Sequence, residues 1–118
     1  MVNVTTHNGL VLLEYDAEGA KLGSDRDASD VLSEAFSVQA SIIVIPAERF
    51  DPQFFNLRSG LAGGFFQKLQ NYHCRLVVLG DFSEHVATST ALRDFVGETN
   101  RIGNHLFVPD REALLARL

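Results

Sequence analysis

Cysteine is nearly absent from this 118-residue chain: Cys74 stands alone, there is no tryptophan, and prolines number three. One thiol cannot close an internal disulfide, so the fold must rest on packing and hydrogen bonds, and a reducing, cytoplasmic setting is expected. A basic excess is also missing. Ten Lys and Arg against fifteen Asp and Glu give a net charge of -5. Without a basic stripe, no nucleic acid partner is expected. Long apolar runs are lacking too. Ile42-Ile43-Val44-Ile45 is far too short to span a membrane. Met1-Val2-Asn3-Val4 has neither the charged start nor the apolar stretch of a signal peptide. No membrane partner is therefore expected. Repeats, low-complexity tracts and linkers do not occur. What is present is ordinary for a globular protein: 46 % hydrophobic and 21 % charged residues, which excludes disorder as the main state. The length fits one domain over residues 1–118, able to bury roughly two-thirds of its unfolded surface.

The hydrophobic pattern gives the element order. Val2-Asn3-Val4 alternates as a half-buried strand does, His7-Asn8-Gly9 reads as a hairpin turn, and Leu10 to Tyr15 returns as a second strand. Ser24 or Asp25 caps a first helix, whose Ala28, Val31, Leu32, Ala35 and Phe36 form one apolar stripe. Ser41 to Ile45 is a third strand, β-branched and apolar, ended by Pro46. Asp51-Pro52 reads as a helix start, with Asp as cap and Pro where its missing N–H costs nothing. From Gly60 onward Leu61, Phe65, Phe66, Leu69 and Tyr72 keep helical period. Arg75 to Leu79 is a fourth strand. A third helix is expected from about Ser89 to Thr99, stopped by Asn100 and Gly103. His105 to Val108 is a fifth strand, and Asp110 caps a last helix. Helices alternating with strands after an opening hairpin predict an α/β fold: a mostly parallel five-stranded sheet with right-handed crossovers and four main helices.

That order is similar to the STAS domain of anti-sigma-factor antagonists. The motifs resemble something narrower. Phe54 to Gly63, then Gln67-Lys68-Leu69 and Asn71-Tyr72, look like the hallmark block of the bacterial domain-of-unknown-function family 4180. Gly80-Asp81-Phe82-Ser83 resembles its second block. Leu92-Arg93-Asp94-Phe95-Val96 with Glu98-Thr99-Asn100 resembles its third. The family name implies no activity. The STAS likeness implies a small, cytoplasmic, non-enzymatic protein that changes partners when a Ser or Thr at the start of the second helix is phosphorylated. Ser59-Gly60-Leu61 is similar to the Ser-Gly-Leu of those antagonists. Their motif directly follows a strand, usually behind an Asp. Here residues 46–58 intervene, and Arg58 stands in the acid's place.

Several residues could carry function. Ser59 is either a plain helix cap or a phosphoacceptor at the positive end of a helix dipole, with Arg58 beside it to pair with an anion and Gly60 following. Gly60, Gly63 and Gly64 lack the Gly-Lys-Ser/Thr of a phosphate loop. Glycines at that spacing point instead to close approach of the helix to the sheet or to another chain. Asp81 and Ser83 follow the fourth strand, and Glu48 and Arg49 the third. All four belong at the carboxyl edge, where open α/β sheets bind ligands. With Arg58 and Ser59 they would make a shallow polar pocket. The competing reading gives Asp81 a local turn with Phe82 and Ser83. His7, His73, His85 and His105 are scattered and Cys74 lacks a second thiol, so neither metal nor cofactor is expected. Asp81 to His85 contains an acid, a hydroxyl and an imidazole, yet adjacency is not triad geometry and Gly-x-Ser-x-Gly is absent. Of Phe65 and Phe66, one should enter the core and the other pack on a neighbouring helix or lie exposed, where it would favour a homodimer.

The expected function is a small regulatory or protein-interaction module, switched at Ser59. The alternatives are a small-ligand-binding domain using the carboxyl edge, or an enzyme of unknown class.

Overall fold

The computed structural model describes residues 2–118. Two strands, β1 (Val2–His7) and β2 (Leu10–Tyr15), form the opening hairpin, turned by Asn8 and Gly9, both at positive φ. Then follow α1 (Asp25–Ser37), β3 (Ile42–Pro46), α2 (Leu61–Asn71), β4 (Arg75–Leu79), α3 (Ser83–Ala87), α4 (Thr90–Ile102), β5 (Leu106–Val108) and α5 (Arg111–Ala116). The strands lie side by side in chain order, β2 to β5 parallel and β1 antiparallel at one edge.

Chain-order stepping has a consequence for the layers. Right-handed crossovers that always step the same way place their helices on the same face. Leu13, Ile43, Ile45, Leu76, Val78 and Phe107 accordingly pack under Val31 and Leu32 of α1, Phe65 and Leu69 of α2, and Leu92 of α4. The alternate strand residues Leu12, Ile42, Val44, Val77, Leu106 and Val108 form a second core, which α5 covers through Leu114. α5 is pinned across the sheet by Arg111, whose Nε and Nη2 donate to both carboxylate oxygens of Glu14 on β2 at 2.8 and 3.1 Å.

Local chemistry sets the element ends. Ser24 and Asp27 form a reciprocal capping box at α1. Asp51 does cap a helix, but only the four-residue 3-10 turn Pro52–Phe55; residues 47–59 hold three such turns, and α2 begins at Leu61. α4 runs on to Ile102, past the expected stop at Thr99, and ends on Gly103 at φ +82°. Asn100 is therefore not a stop. Its Oδ1 accepts from the Phe107 N–H at 2.7 Å and its Nδ2 donates to the Phe107 carbonyl at 3.0 Å, which ties α4 to the short edge strand β5. Among the described residues, no helix is long and apolar enough to cross a membrane.

Two packing expectations each lose one of their alternatives, and Phe66 takes the other of its two by packing against Phe95 of α4. Gly63 and Gly64 do not approach the sheet. Both are exposed, and a Cβ at either would meet nothing within 4 Å. Nor does either phenylalanine lie exposed. Phe65 stacks edge-on against Phe50 and Phe54, while Phe66 turns toward Phe95, His105 and Phe107.

Candidate functional site at the carboxyl edge

The carboxyl ends of β4 and β5 send the chain to opposite faces. β4 leaves through Gly80 toward α3 and α4 on the helical layer, and β5 leaves through Pro109 toward α5 on the other side. Neighbouring strands whose exits diverge leave a crevice between them, the usual ligand position in open α/β sheets. Here the crevice measures about 310 Å³ and is lined by Asp81, Phe82, Ser83, Val86, Val96, Phe107 and Pro109. Its walls are mostly apolar and its mouth is polar. Gly80 makes the divergence feasible. It sits at φ +141°, and a Cβ there would come within 3.2 Å of the Ala47 Cβ.

Asp81 is both turn-former and site residue. Its Oδ1 accepts from the Ser83 N–H at 2.9 Å. The Ser83 hydroxyl and N–H together hold its carboxyl below the usual range, so an ionised group stands at the crevice mouth at neutral pH. Asp81 also faces a second cleft of about 200 Å³, shared with Ala47, Glu48 and His85. A third and larger one, about 450 Å³, adjoins it, with Pro52, Phe55, Asn56, Arg58, His85, Thr88 and Ser89 around it. The His85 imidazole stacks on the Phe55 ring at 4.4 Å and 18°, and it borders both clefts.

The single polar pocket expected from sequence is thus divided. Asp81 and Ser83 line the crevice, Glu48 and Asp81 the second cleft, and Arg58 the third. Arg49 turns away from all three. Its Nε donates to the Ala20 carbonyl at 2.8 Å and its Nη1 to the Asp16 carbonyl at 3.1 Å, with the guanidinium 5.6 Å from the centre of the Tyr15 ring. It clamps the loop between β2 and α1 and does not meet Glu48 or Asp81. Lys21 from that loop donates to the Glu48 carbonyl.

Ser59 is exposed, just before the first turn of α2. Its hydroxyl donates to the Gln53 carbonyl at 2.7 Å and accepts from the Leu61 N–H at 3.2 Å. The cap position itself belongs to Gly60, left-handed at φ +79° with no side chain to offer. Ser59 therefore satisfies an orphan helix donor from one position upstream, and it fastens the 52–60 segment back on itself. Neither Ser59 nor Gly60 lines any of these three clefts; Arg58 and Asn56 on the same segment line the third.

His85 is the member that sequence reasoning passed over. The Asp81-to-His85 run shows it, but its place depends on stacking with Phe55 from a separate turn, which no local pattern encodes. Cys74 is buried, and desolvation raises its thiol pKa, so it offers no ready nucleophile. Among the described residues, no three His, Cys, Asp or Glu gather as metal ligands.

No curated protein and no solved structure matches the chain, so the STAS likeness has no structural relative beside it. The family comparison does give a result: residues 7–118 match the model described as "Domain of unknown function (DUF4180)", and the chain belongs to that family.

Proposed function

We propose that this protein is a regulatory binding module that receives a protein partner along its carboxyl edge, with the 52–60 segment as the adjustable part of that edge. One observation carries the reading. Three open clefts adjoin there, linked through Asp81 and His85, and one wall of the largest is a segment held closed by the Ser59 hydroxyl. Phosphorylation would remove the proton that Ser59 gives to the Gln53 carbonyl. It would also place about two negative charges at the positive end of α2, where they are tolerated. The segment would then have to rearrange, and Arg58 and Asn56 on the cleft wall would move with it.

The test uses a photo-crosslinking side chain at Thr88, on the largest cleft, against one at Thr6, which is exposed on β1 opposite Val11 at the other end of the sheet. A protein adduct formed in cells from position 88 and not from position 6, and altered by Ser59→Asp, is the expected result. Equal adducts from both positions, or none, refute the edge as a partner site. An adduct indifferent to both Ser59→Asp and Ser59→Ala refutes the switch.

The apolar crevice wall favours a second reading, a small ligand seated between β4 and β5. A ligand that binds only the native state raises the thermal midpoint. A metabolite panel should then contain a compound whose shift disappears in Val96→Trp, which fills the crevice. A panel without any such compound removes this reading.

A further inference from the structure

The helical layer has an uncovered outer face that the carboxyl-edge reading does not use. Along α2 the buried residues are Ala62, Phe65, Phe66 and Leu69; Gly63, Gly64, Gln67 and Asn71 face solvent. None of these four is charged, in a chain where every fifth residue is. Charge depletion marks the centre of protein interfaces. Beside the carboxyl end of this face, on the side toward α1, an aromatic pair lies open: Tyr72 is 54 % exposed and Phe36 50 %, their rings edge to face at 6.1 Å over a cleft of about 220 Å³ between α1 and α2 that Lys68 also lines. Ile102, at the end of α4, is 67 % exposed. Val38 adds to this rim, and among the described residues only Val4 of the large exposed apolar side chains lies elsewhere.

Charge is uneven along the strand direction. The end where α1, α2 and α4 finish carries Arg75, Arg101 and Arg117 against Glu34 and Glu98, while the Lys68 ammonium reaches back to Asp25 at the start of α1, 2.9 Å away. Most of the remaining acids lie toward the carboxyl edge, so the net charge of -5 is concentrated at one end. Arg75 and Arg117 bond to the carbonyls of Gly103, Asn104 and Asn100; among the described residues no carboxylate lies within ion-pair distance of either.

We propose that a second copy of this chain docks on the outer face of α2, antiparallel across a two-fold axis. An isologous contact needs a face that complements itself. The amides of Gln67 and Asn71 do so, because each both donates and accepts. The antiparallel setting brings the basic, apolar end of each copy beside the acidic end of the other, twice. Charge polarity thereby turns from an obstacle into an attraction, despite the like net charges. Gly63 and Gly64 form the amino-terminal end of the face, where the absence of side chains leaves room for Gln67 and Asn71 of the antiparallel partner copy.

Sedimentation equilibrium of the full chain at micromolar concentration tests this. A dimer that weakens as salt rises is expected, since screening removes the end-to-end attraction. Gly63→Ala with Gly64→Ala has open space for both methyl groups, so it should raise the thermal midpoint yet loosen the dimer about tenfold or more. Tyr72→Ser should loosen it similarly. A protein that stays monomeric overturns the proposal, and so does a dimer whose affinity ignores both the glycine and the Tyr72 substitutions. Binding of the monomer to anionic vesicles through Tyr72 would reassign the face to a membrane and likewise overturn it.

Discussion

At the scale of single residues, His105 shows how a buried polar group is made safe. Its Nδ1 accepts the Leu76 N–H at 2.9 Å, just before β5 begins, and its Nε2 lies 3.2 Å from the Gln70 Oε1. That pairing fixes the neutral tautomer with its proton on Nε2. Burial, reinforced by the nearby Arg75 charge, pushes the pKa down to about 4. In the unfolded chain the ring takes a proton near its ordinary value of about 6.5, so the unfolded state binds more protons between those limits. Stability from His105 is therefore complete above about pH 6.5 and lost as pH falls toward 4. Urea midpoints at pH 7 and pH 4.5 should differ by less in His105→Gln than in the wild type, by on the order of 2 kcal/mol. Equal differences would show that other groups cause the acid loss. In sequence this residue is one of four scattered histidines. Nothing local marks it, because its two partners come from β4 and α2. Asn100 reads better, as a polar residue near a helix end, but the backbone it serves belongs to β5. Removing its two bonds leaves the Phe107 N–H and C=O short of partners, and Asn100→Ala should cost about 2 kcal/mol in chemical denaturation.

At the scale of elements, α2 departs most from what propensity favours. Two exposed glycines at the third and fourth positions of an eleven-residue helix weaken it, and none of the described residues packs closely enough to require them. Each Gly→Ala should stabilise the free monomer by roughly 0.5–1 kcal/mol, read from the urea midpoint. A loss of stability instead would reveal a backbone demand at those positions. Element ends divide into those with local signals and those without. The Ser24 capping box, the Asn8-Gly9 turn and the Gly103 stop are short-range chemistry, and each is visible in the letters. The stretch from Ala47 to Ser59 is not. Asp51-Pro52 carries a genuine helix-start signal, yet Phe50, Phe54 and Phe55 are drawn into one aromatic cluster with Phe65, and the chain makes three 3-10 turns to deliver them. Tertiary packing there overrides a local preference. The same override divides the expected polar pocket, because Arg49 is taken by the carbonyls of Asp16 and Ala20.

For the whole molecule, strand order and parallel pairing follow from alternating elements, whereas the side on which α5 packs does not. Periodicity shows that α5 has an apolar stripe; only the assembled sheet shows that the opposite face needs covering, and that α5 leaving β5 on that side opens the crevice beside Asp81. One short helix therefore shields the second core. Leu114 is fully buried over Leu12, Ile42, Val44 and Val77. Beside it Arg111 reaches Glu14, whose carboxyl is raised by burial but lowered more by its bonds to Arg111 and Thr5. The two contacts should differ in weight. Arg111 is half exposed, so Arg111→Ala should cost no more than about 1 kcal/mol. Leu114→Ala opens a cavity that a six-residue helix has few side chains to refill. It should cost about 3 kcal/mol, a large share of the 5–15 kcal/mol that a domain of this size holds. Urea denaturation of the two variants side by side tests the assignment. If Arg111→Ala proves the more damaging, the ion pair and not the apolar cap keeps the second face of the sheet dry.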